Sequence, residues 1–163
     1  MEKIFVTQSG YEALLKRKEE LVAELRASQF DKGKAAAGDS NSWHDNAEYD
    51  VHARNEMMLA EQVSEIMRQI ESVSVVGDPE SRKIVAVGHI ITLQLQNGEK
   101  KRYEVGGYGE ADLSRRPPKL SYNAPILCQF LGKPTGHRVT VSIRGEDSEY
   151  LLSEIQSISD ASS

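Results

Sequence analysis

The residues best suited to do chemistry lie in one short acidic stretch, residues 38–50, which holds four carboxylates in thirteen positions. These are Asp39, Asp45, Glu48 and Asp50, and no lysine or arginine falls among them to neutralise their charge. Carboxylate oxygens are the ligands that Mg²⁺ prefers, and it often takes only one or two from a protein while water and phosphate complete its octahedron. The stretch therefore indicates a site that delivers carboxylates into a partner's active site.

The sequence before this acidic stretch has the period of an amphipathic helix. Across residues 11–27 apolar residues recur at helical spacing, interrupted at Lys18, and charged residues fill the other face. The helix is expected to continue toward the acidic stretch, although Gly33 costs roughly 1 kcal/mol relative to alanine. We expect Thr7 or Ser9 to cap this helix at its start and Gly38 to end it.

A second helix is expected to begin at Ser42 or Asp45, because each has an acid three residues later, as in a capping box. Ala53 and Met57 or Met58 are expected to carry its apolar seam toward the acidic stretch. Two such helices predict an antiparallel coiled-coil hairpin with the acids at its tip, and about 28 residues per arm give a length of roughly 40 Å. The rest of the seam, spaced four, three, four, three, consists of Leu59, Val63, Ile66, Ile70 and Val73.

Two other interpretations of the acidic stretch follow from the residues alone. Asp45 and Glu48 would favour the positive N-terminal end of a helix even without a cation to bind. His44, Glu48 and His52, at i, i+4 and i+8, share one helix face and could bind a transition metal, although the first helix offers no further ligand beyond Asp39. The alternative for that face is hydrogen bonding or exposure to solvent.

The negative charge of the chain is carried by its first half. The 163 residues have a formal charge of −5, with nine Lys/Arg against fourteen Asp/Glu in residues 1–76 and eleven of each in residues 77–163. Proteins that bind nucleic acid without a partner protein are usually basic, because phosphate contacts come from Lys and Arg. We therefore expect no autonomous DNA binding.

Cysteine content and hydropathy narrow the class of protein further. The single cysteine, Cys128, excludes an internal disulfide and a Cys-rich zinc site, and it is expected to be a core thiol. No apolar run approaches membrane-spanning length, so we expect no membrane contact. A soluble, cytoplasmic protein, expected to be a monomer, follows.

The second half of the chain changes to an apolar period of two after a polar break at residues 77–81. A type I′ hairpin turn is predicted at Asn97-Gly98, and a short helix at 124–131, where Pro125 falls near its start. Strands are predicted at 84–95, 101–105, 138–143 and 148–158.

These elements predict an α+β chain with two domains. Residues 1–76 form the N-terminal antiparallel coiled-coil hairpin, with its acidic tip at 38–50. Residues 80–158 form a small, mainly antiparallel sheet with one short helix, and residues 159–163 form a tail.

Four short motifs that follow in order make the chain resemble the Gre family of bacterial transcript-cleavage factors, GreA and GreB, over nearly its whole length. The resemblance implies that the hairpin enters the secondary channel of RNA polymerase. It also implies that the C-terminal domain has an FKBP-like fold without proline-isomerase activity and docks at the channel rim. The motifs are Asn46-Ala47-Glu48-Tyr49, the runs at 107–112 and 121–125, and Phe130-Leu131-Gly132-Lys133 followed by Gly136.

The resemblance further implies a transcription elongation factor that stimulates the polymerase's own ribonuclease activity and is not an enzyme by itself. Asp45, Asp39 and Glu48 would assist the second Mg²⁺ at the polymerase active centre, where backtracked nascent RNA is cut near its 3′ end. Asp45 and Asp39 would be the ligands of this Mg²⁺, which is shared with the polymerase and not tightly bound by the isolated protein. A two-metal site of this kind stabilises the attacking and leaving oxygens together.

Five further residues near the tip have a functional interpretation beside a structural one. Lys32 and Lys34 are expected to contact RNA phosphate or to be solvated surface. Tyr49 is expected to stack near the RNA terminus or to pack at the hairpin end. Trp43 either fills the longer turn or, together with Asn46, contacts the polymerase or its RNA.

The tip departs from the usual family pattern Gly-Asp-x-x-Glu-Asn-Ala-Glu-Tyr. Three extra residues separate Asp39 from Asp45, so that Ser42 takes the position of the family aspartate and Asp45 that of the family glutamate. This departure supports an alternative, a secondary-channel regulator that inhibits or modulates the polymerase without cleavage. An alternative of another class is a metal-binding or coiled-coil interaction module unrelated to transcription.

Overall fold

The computed structural model describes residues 3–37 and 47–161 and divides the chain into two compact units. The hairpin unit is Glu12–Ser72, and the sheet unit combines Met1–Tyr11 with Val73–Ser163. The sequence predicts a first domain of 1–76, whereas residues 1–11 and 73–76 belong to the sheet unit. The reason is that strand β1 (Ile4–Val6) pairs with β2 (Val73–Val75), and Tyr108 N–H donates a hydrogen bond to the Phe5 carbonyl at 2.7 Å, which joins both strands to the sheet unit.

The two long helices predicted from the apolar period are present. Helix α1 runs over Gln8–Ala37 and helix α2 over Ala47–Ser72, so that 30 and 26 residues give lengths of about 45 and 39 Å. Thr7 caps α1 as predicted, since Gly10 N–H donates to Thr7 Oγ1 at 3.1 Å. Among the described residues, no helix is long and apolar enough to cross a membrane.

The two helices lie side by side and run in opposite directions. Strands β1 and β2 directly precede α1 and directly follow α2, and they pair in parallel register, with Ile4 opposite Val73. The start of α1 and the end of α2 therefore meet. Far along both helices, Gln29 Nε2 donates a hydrogen bond to Glu56 Oε1 at 3.4 Å.

The seam between the helices differs from the prediction toward its distal end. Met57 and Met58 are 75% and 58% exposed, so neither carries the seam. The half-buried positions of α2 in this region are Tyr49, His52, Ala53 and Glu56. A strict four-three spacing continued from Leu59 leads to these residues rather than to the methionines, so the distal seam is largely polar.

The sheet unit is built on a five-stranded sheet, which confirms the α+β fold. Its elements are β3 (His89–Leu95), β4 (Lys100–Gly106), β5 (Lys119–Ser121), β6 (Arg138–Ile143), β7 (Glu146–Ser157) and the short helix α3 (Ile158–Ala161). The strand order is β5-β4-β3-β7-β6, and all neighbouring strands are antiparallel except β4 and β5, which are parallel.

One face of this sheet is closed by the segment between β5 and β6. Phe130 and Leu127 of that segment are 0% and 1% exposed and belong to the same hydrophobic core as Ile91, Leu93 and Leu152 of the sheet. The predicted helix at 124–131 is instead a series of turns. Its hydrogen bonds mix three- and four-residue spacings, with Leu127 N–H and Cys128 N–H both donating to the Ala124 carbonyl.

Two smaller predictions in this unit are corrected. Cys128 is exposed rather than a core thiol, because the core-facing positions of its turn are taken by Leu127 and Phe130. The β3–β4 turn is not type I′, since only Gly98, at φ 85°, has positive φ there. Gly98 N–H donates to the Leu95 carbonyl at 2.9 Å, the pattern of a type I turn followed by a glycine bulge.

Candidate functional site

The predicted site lies at the distal end of the hairpin, and the structure describes only part of it. The backbones of Lys32, Lys34 and Glu48 belong to α1 and α2, but the side chains of these three residues lie outside the described part. The predicted residues that lie wholly outside the described ranges 3–37 and 47–161 are Gly38, Asp39, Ser42, Trp43, His44, Asp45 and Asn46.

The helix ends bring the remaining predicted residues to the same end of the hairpin. Lys32 and Lys34 lie about 7 and 5 Å of axial rise before the end of α1 at Ala37. Glu48 and Tyr49 lie in the first turn of α2, and Tyr49 is half-buried. Because the helices are antiparallel, two lysines of one arm and two predicted site residues of the other share the region beside the acidic stretch.

The seam just below this region is polar. Gln29 and Glu56 form the hydrogen bond between the helices, and His52 is half-buried one turn closer to the tip. Ser28 Oγ is buried and has no hydrogen-bond partner among the described residues. Within the described ranges, no group of three or more His, Cys, Asp or Glu side chains is arranged to hold a metal ion.

Glu110, in the sheet unit, has a structural role that sequence reasoning missed. Its Oε1 accepts a hydrogen bond from Thr7 N–H at 2.7 Å and its Oε2 accepts one from Thr7 Oγ1 at 2.8 Å. Lys119 Nζ lies 2.7 Å from the same Oε2, and both side chains of this ion pair are nearly buried. The carboxylate therefore fixes the residue that caps α1, where negative charge also favours the helix terminus.

Two glycines and a shifted pKa belong to this contact. A Cβ on Gly10 or Gly107 would clash with Glu110 Oε1, so glycine is needed at both positions for the carboxylate to keep its place. Burial alone would raise the pKa of Glu110, but the hydrogen bonds from Lys119 and Thr7 outweigh it and hold the pKa below its usual value. In the sequence, Glu110 is marked only by the Gly-Tyr-Gly-Glu run at 107–110, and nothing near this run indicates that the carboxylate contacts Thr7.

A buried histidine in the sheet unit is structural. His89 is 0% exposed, and its Nδ1 accepts a hydrogen bond from Ala86 N–H at 3.0 Å. Burial and the nearby Arg82 charge lower its pKa. The neutral form therefore fits the acceptor role at Nδ1, and the side chain stabilises the turn that leads into β3.

Comparison with known proteins gives matches over both units. Residues 79–157 match the family model described as transcription elongation factor, GreA/GreB, C-terminal. The transcription elongation factor GreA of Oceanobacillus iheyensis is 24% identical over 154 residues, which cover 93% of this chain and 96% of the relative. That of Pseudomonas aeruginosa is 27% identical over 161 residues, 97% of this chain and 100% of the relative.

A solved structure is also similar. The crystal structure of GreA factor homolog 1 (Gfh1) of Thermus thermophilus is 17% identical, covers 95% of this chain and 99% of that one, and has a TM-score of 0.43. The sequence matches, which extend over nearly the full length of the relatives, carry the argument. Residues 79–157 match the C-terminal domain of the GreA/GreB transcription elongation factors, and the chain is similar to GreA factors over nearly its full length.

Proposed function

We propose that this protein binds RNA polymerase, places the distal end of its hairpin in the secondary channel and stimulates endonucleolytic cleavage of backtracked nascent RNA. The observation that carries the proposal is the pair of antiparallel helices about 45 and 39 Å long, joined by a nine-residue segment that contains Asp39 and Asp45. The match of residues 79–157 to the GreA/GreB C-terminal domain and the similarity to GreA factors support the partner and the reaction. In this proposal the protein acts as a monomer and does not bind DNA by itself.

The donor set of the acidic stretch fits the Mg²⁺ that such a reaction uses. Asp39 and Asp45 offer carboxylate oxygens, which Mg²⁺ prefers, and a partner that supplies the remaining ligands needs only one or two of them. When bound, Mg²⁺ lowers the pKa of a water molecule and neutralises charge on the scissile phosphate. Asp45 is the principal ligand, Asp39 is a second one, and Glu48 supports them from the first turn of α2.

The remaining predicted residues act on RNA and polymerase rather than on the cation. Lys32 and Lys34, near the end of α1, attract the phosphates of the RNA 3′ end. Tyr49 stacks near the RNA terminus, since base–aromatic stacking tolerates any base. Trp43 and Asn46 contact the walls of the channel.

The test is cleavage of a defined backtracked elongation complex with Mg²⁺ present, comparing wild type with Asp45→Ala. We expect wild type to shorten the RNA and Asp45→Ala to slow cleavage by about 10–100-fold, the range found for residues that support a metal site. Polymerase affinity, measured separately, is expected to stay unchanged. Asp50→Ala, an exposed acid one turn along α2, is the matched control and should cleave like wild type.

A second function is favoured by one observation in the sequence. Ser42 occupies the position of the family aspartate, and three residues are inserted between Asp39 and Asp45. A protein with a weakened tip would occupy the channel and slow elongation without cleaving RNA. RNA that stays unshortened while elongation slows would establish this regulator, provided that Asp45→Ala slows elongation equally. Failure to bind core polymerase would exclude both functions.

A further inference from the structure

A basic cleft lies on the sheet unit, far along the chain from the hairpin tip. Lys100 and Arg102 are alternate residues of β4 and so point to the same face of the sheet. Arg116, Pro117 and Pro118 precede β5, the strand that pairs with β4. Together these five residues line a cavity of about 410 Å³, and no carboxylate or aromatic residue of the described chain is among its lining residues.

The neighbouring cations of the same region are all paired with carboxylates. Lys119 lies 2.7 Å from Glu110, and Arg115 lies 2.9 Å from Glu104, whose side chain is only 5% exposed. Lys101 lies 3.8 Å from its strand neighbour Glu99. Each of these pairs lies outside the cleft.

None of the three cations that line the cleft forms an ion pair with a described carboxylate. Arg116 Nη1 donates to the carbonyls of Leu113 and Arg115 at 3.1 and 2.8 Å, which fixes the guanidinium without neutralising it. The side chain of Lys100 makes no hydrogen bond or ion pair with any described residue.

Arg102 is held in the same way. Its Nη2 donates to Gln156 Oε1 at 2.8 Å, and Gln156 in turn donates to Glu154 Oε1 at 2.8 Å. Arg102 is thus hydrogen-bonded to a neutral amide and forms no ion pair with a described carboxylate. The fold thus gathers three uncompensated positive charges around one concave surface, and two of them are positioned in advance.

The chemistry of the cleft distinguishes between the two macromolecules that could supply anions. The guanidinium group of arginine can form two parallel hydrogen bonds with either a carboxylate or a phosphate, so its geometry does not distinguish between them. Sites for single-stranded nucleic acid add aromatic stacking platforms to a strongly positive surface, whereas here no aromatic residue lines the cleft and residues 77–163 carry no net charge. Pro117 and Pro118 instead add apolar lining, which suits the backbone of a peptide beside its acidic side chains.

We propose that the basic cleft of Lys100, Arg102 and Arg116 binds an acidic segment of a partner protein, in the manner of arginine clusters that recognise acidic motifs. The cleft is separate in sequence from the acidic stretch of the hairpin. It therefore adds a contact for a protein partner and does not depend on how the hairpin tip acts on RNA.

The test measures binding of a fluorescein-labelled peptide of eight glutamates to the full chain by fluorescence anisotropy at low salt. We expect binding that weakens as salt is added, because exposed charges are screened. The triple variant Lys100→Gln, Arg102→Gln, Arg116→Gln should bind about 30-fold more weakly, since each exposed pair contributes about threefold. The control variant Lys101→Gln, Lys133→Gln, Arg138→Gln has the same net charge and should lose less than about threefold.

Each other outcome overturns the proposal. No binding to wild type, or an equal loss in both triple variants, would show that the cleft is not the site. Tighter binding of a single-stranded RNA octamer than of the peptide, lost in the same triple variant, would assign the cleft to phosphate instead. Circular dichroism checks the fold, and Lys100→Gln, at an exposed position without a partner among the described residues, gives a second measurement with an expected loss of about threefold.

Discussion

The sheet unit and the hairpin unit bury their apolar residues to very different extents. In the sheet unit Phe130, Ile91 and Leu93 are completely buried, because a covering segment closes one face of the sheet. In the described part of the hairpin unit, only Leu21 and Ile66 are buried apolar residues, at 3% and 6% exposure. Two helices can hide only the strip along which they touch. The sheet unit therefore depends on a closed core, and the hairpin unit on a narrow seam and its own helix propensity.

The same contrast continues within the hairpin unit. Its seam is apolar around Leu21 and Ile66, whereas it becomes polar where Gln29 meets Glu56. Exposed hydrogen bonds contribute little to stability compared with buried methyl groups. The end of the hairpin that carries the candidate site is therefore its less strongly packed end, as expected of segments that adapt to a partner.

The largest effect is expected from Phe130→Ala in the sheet unit. The change leaves a cavity in a closed core and should lower the free energy of unfolding by about 3–5 kcal/mol. Urea denaturation followed by circular dichroism measures it. Phe30→Ala is the matched control in the hairpin unit, since Phe30 is 64% exposed, and it should cost less than about 0.5 kcal/mol. Equal losses would mean that the two units do not differ in packing.

The next effect compares two ion pairs of similar length and different burial. Lys119–Glu110 is 2.7 Å long and nearly buried, whereas Arg68–Glu65 in α2 is 2.8 Å long and about half exposed. Glu110→Gln should therefore cost about 2–3 kcal/mol, and Glu65→Gln less than about 0.5 kcal/mol. Thermal unfolding of both variants checks this difference.

The pH dependence of Glu110→Gln follows from the direction of the pKa shift. The pKa of Glu110 is held below its usual value, so the stabilisation is fully present above the unfolded pKa and is lost as pH falls through the folded pKa. The difference between wild type and Glu110→Gln should be constant near neutral pH and shrink in acid. A difference that stays constant down to the folded pKa would contradict the assigned role of the carboxylate.

A smaller effect is expected from Ile66→Ala in the seam of the hairpin unit. The side chain is almost fully buried but has neighbours on fewer sides than a residue in a closed core, so we expect a loss of about 2 kcal/mol. Hydrogen exchange should show faster exchange in α1 and α2 and unchanged protection in β3 and β7. Met67→Ala, at a side chain that is 48% exposed, is the control. Faster exchange throughout the sheet unit would show that the two units unfold together.

The smallest effect is a gain from Gly33→Ala in α1. Within 4 Å of a Cβ built at Gly33 there is no described atom, so alanine fits and its higher helix propensity should stabilise α1 by about 0.5–1 kcal/mol. Slower amide exchange in the last turns of α1 measures the gain. Ala27→Gly, also on an exposed position of α1, should change exchange in the opposite direction. No change in either variant would mean that packing, and not propensity, controls this end of the helix.

Features with a local period could be predicted from the sequence, and features made by distant residues could not. The apolar period located both helices, and Thr7 was identified as a cap because its neighbours are adjacent in the chain. Strands β1 and β2 were missed because three residues are too few to show alternation. The role of Glu110 was missed because its partner Thr7 is 103 residues away.

The candidate site was predictable in composition more than in geometry. The motif at residues 46–49 and the nearby acids could be recognised from residue types alone. The distal seam was predicted wrongly because apolar character favoured Met57 and Met58, whereas the four-three spacing continued from Leu59 leads to Glu56 and His52. The basic cleft was not predicted, because its lysine and arginines differ from the neighbouring cations only in lacking a carboxylate partner, which the sequence does not show.

The attachment of the first strand sets the order in which the chain assembles during synthesis. Residues 4–6 are made early, but their strand partner is residues 73–75, and the carboxylate that holds Thr7 comes still later, at residue 110. Helices form from neighbouring residues in microseconds, whereas distant pairings must wait for the rest of the polypeptide. Residues 4–7 can therefore be fixed only after residues 73–75 and Glu110 have been made.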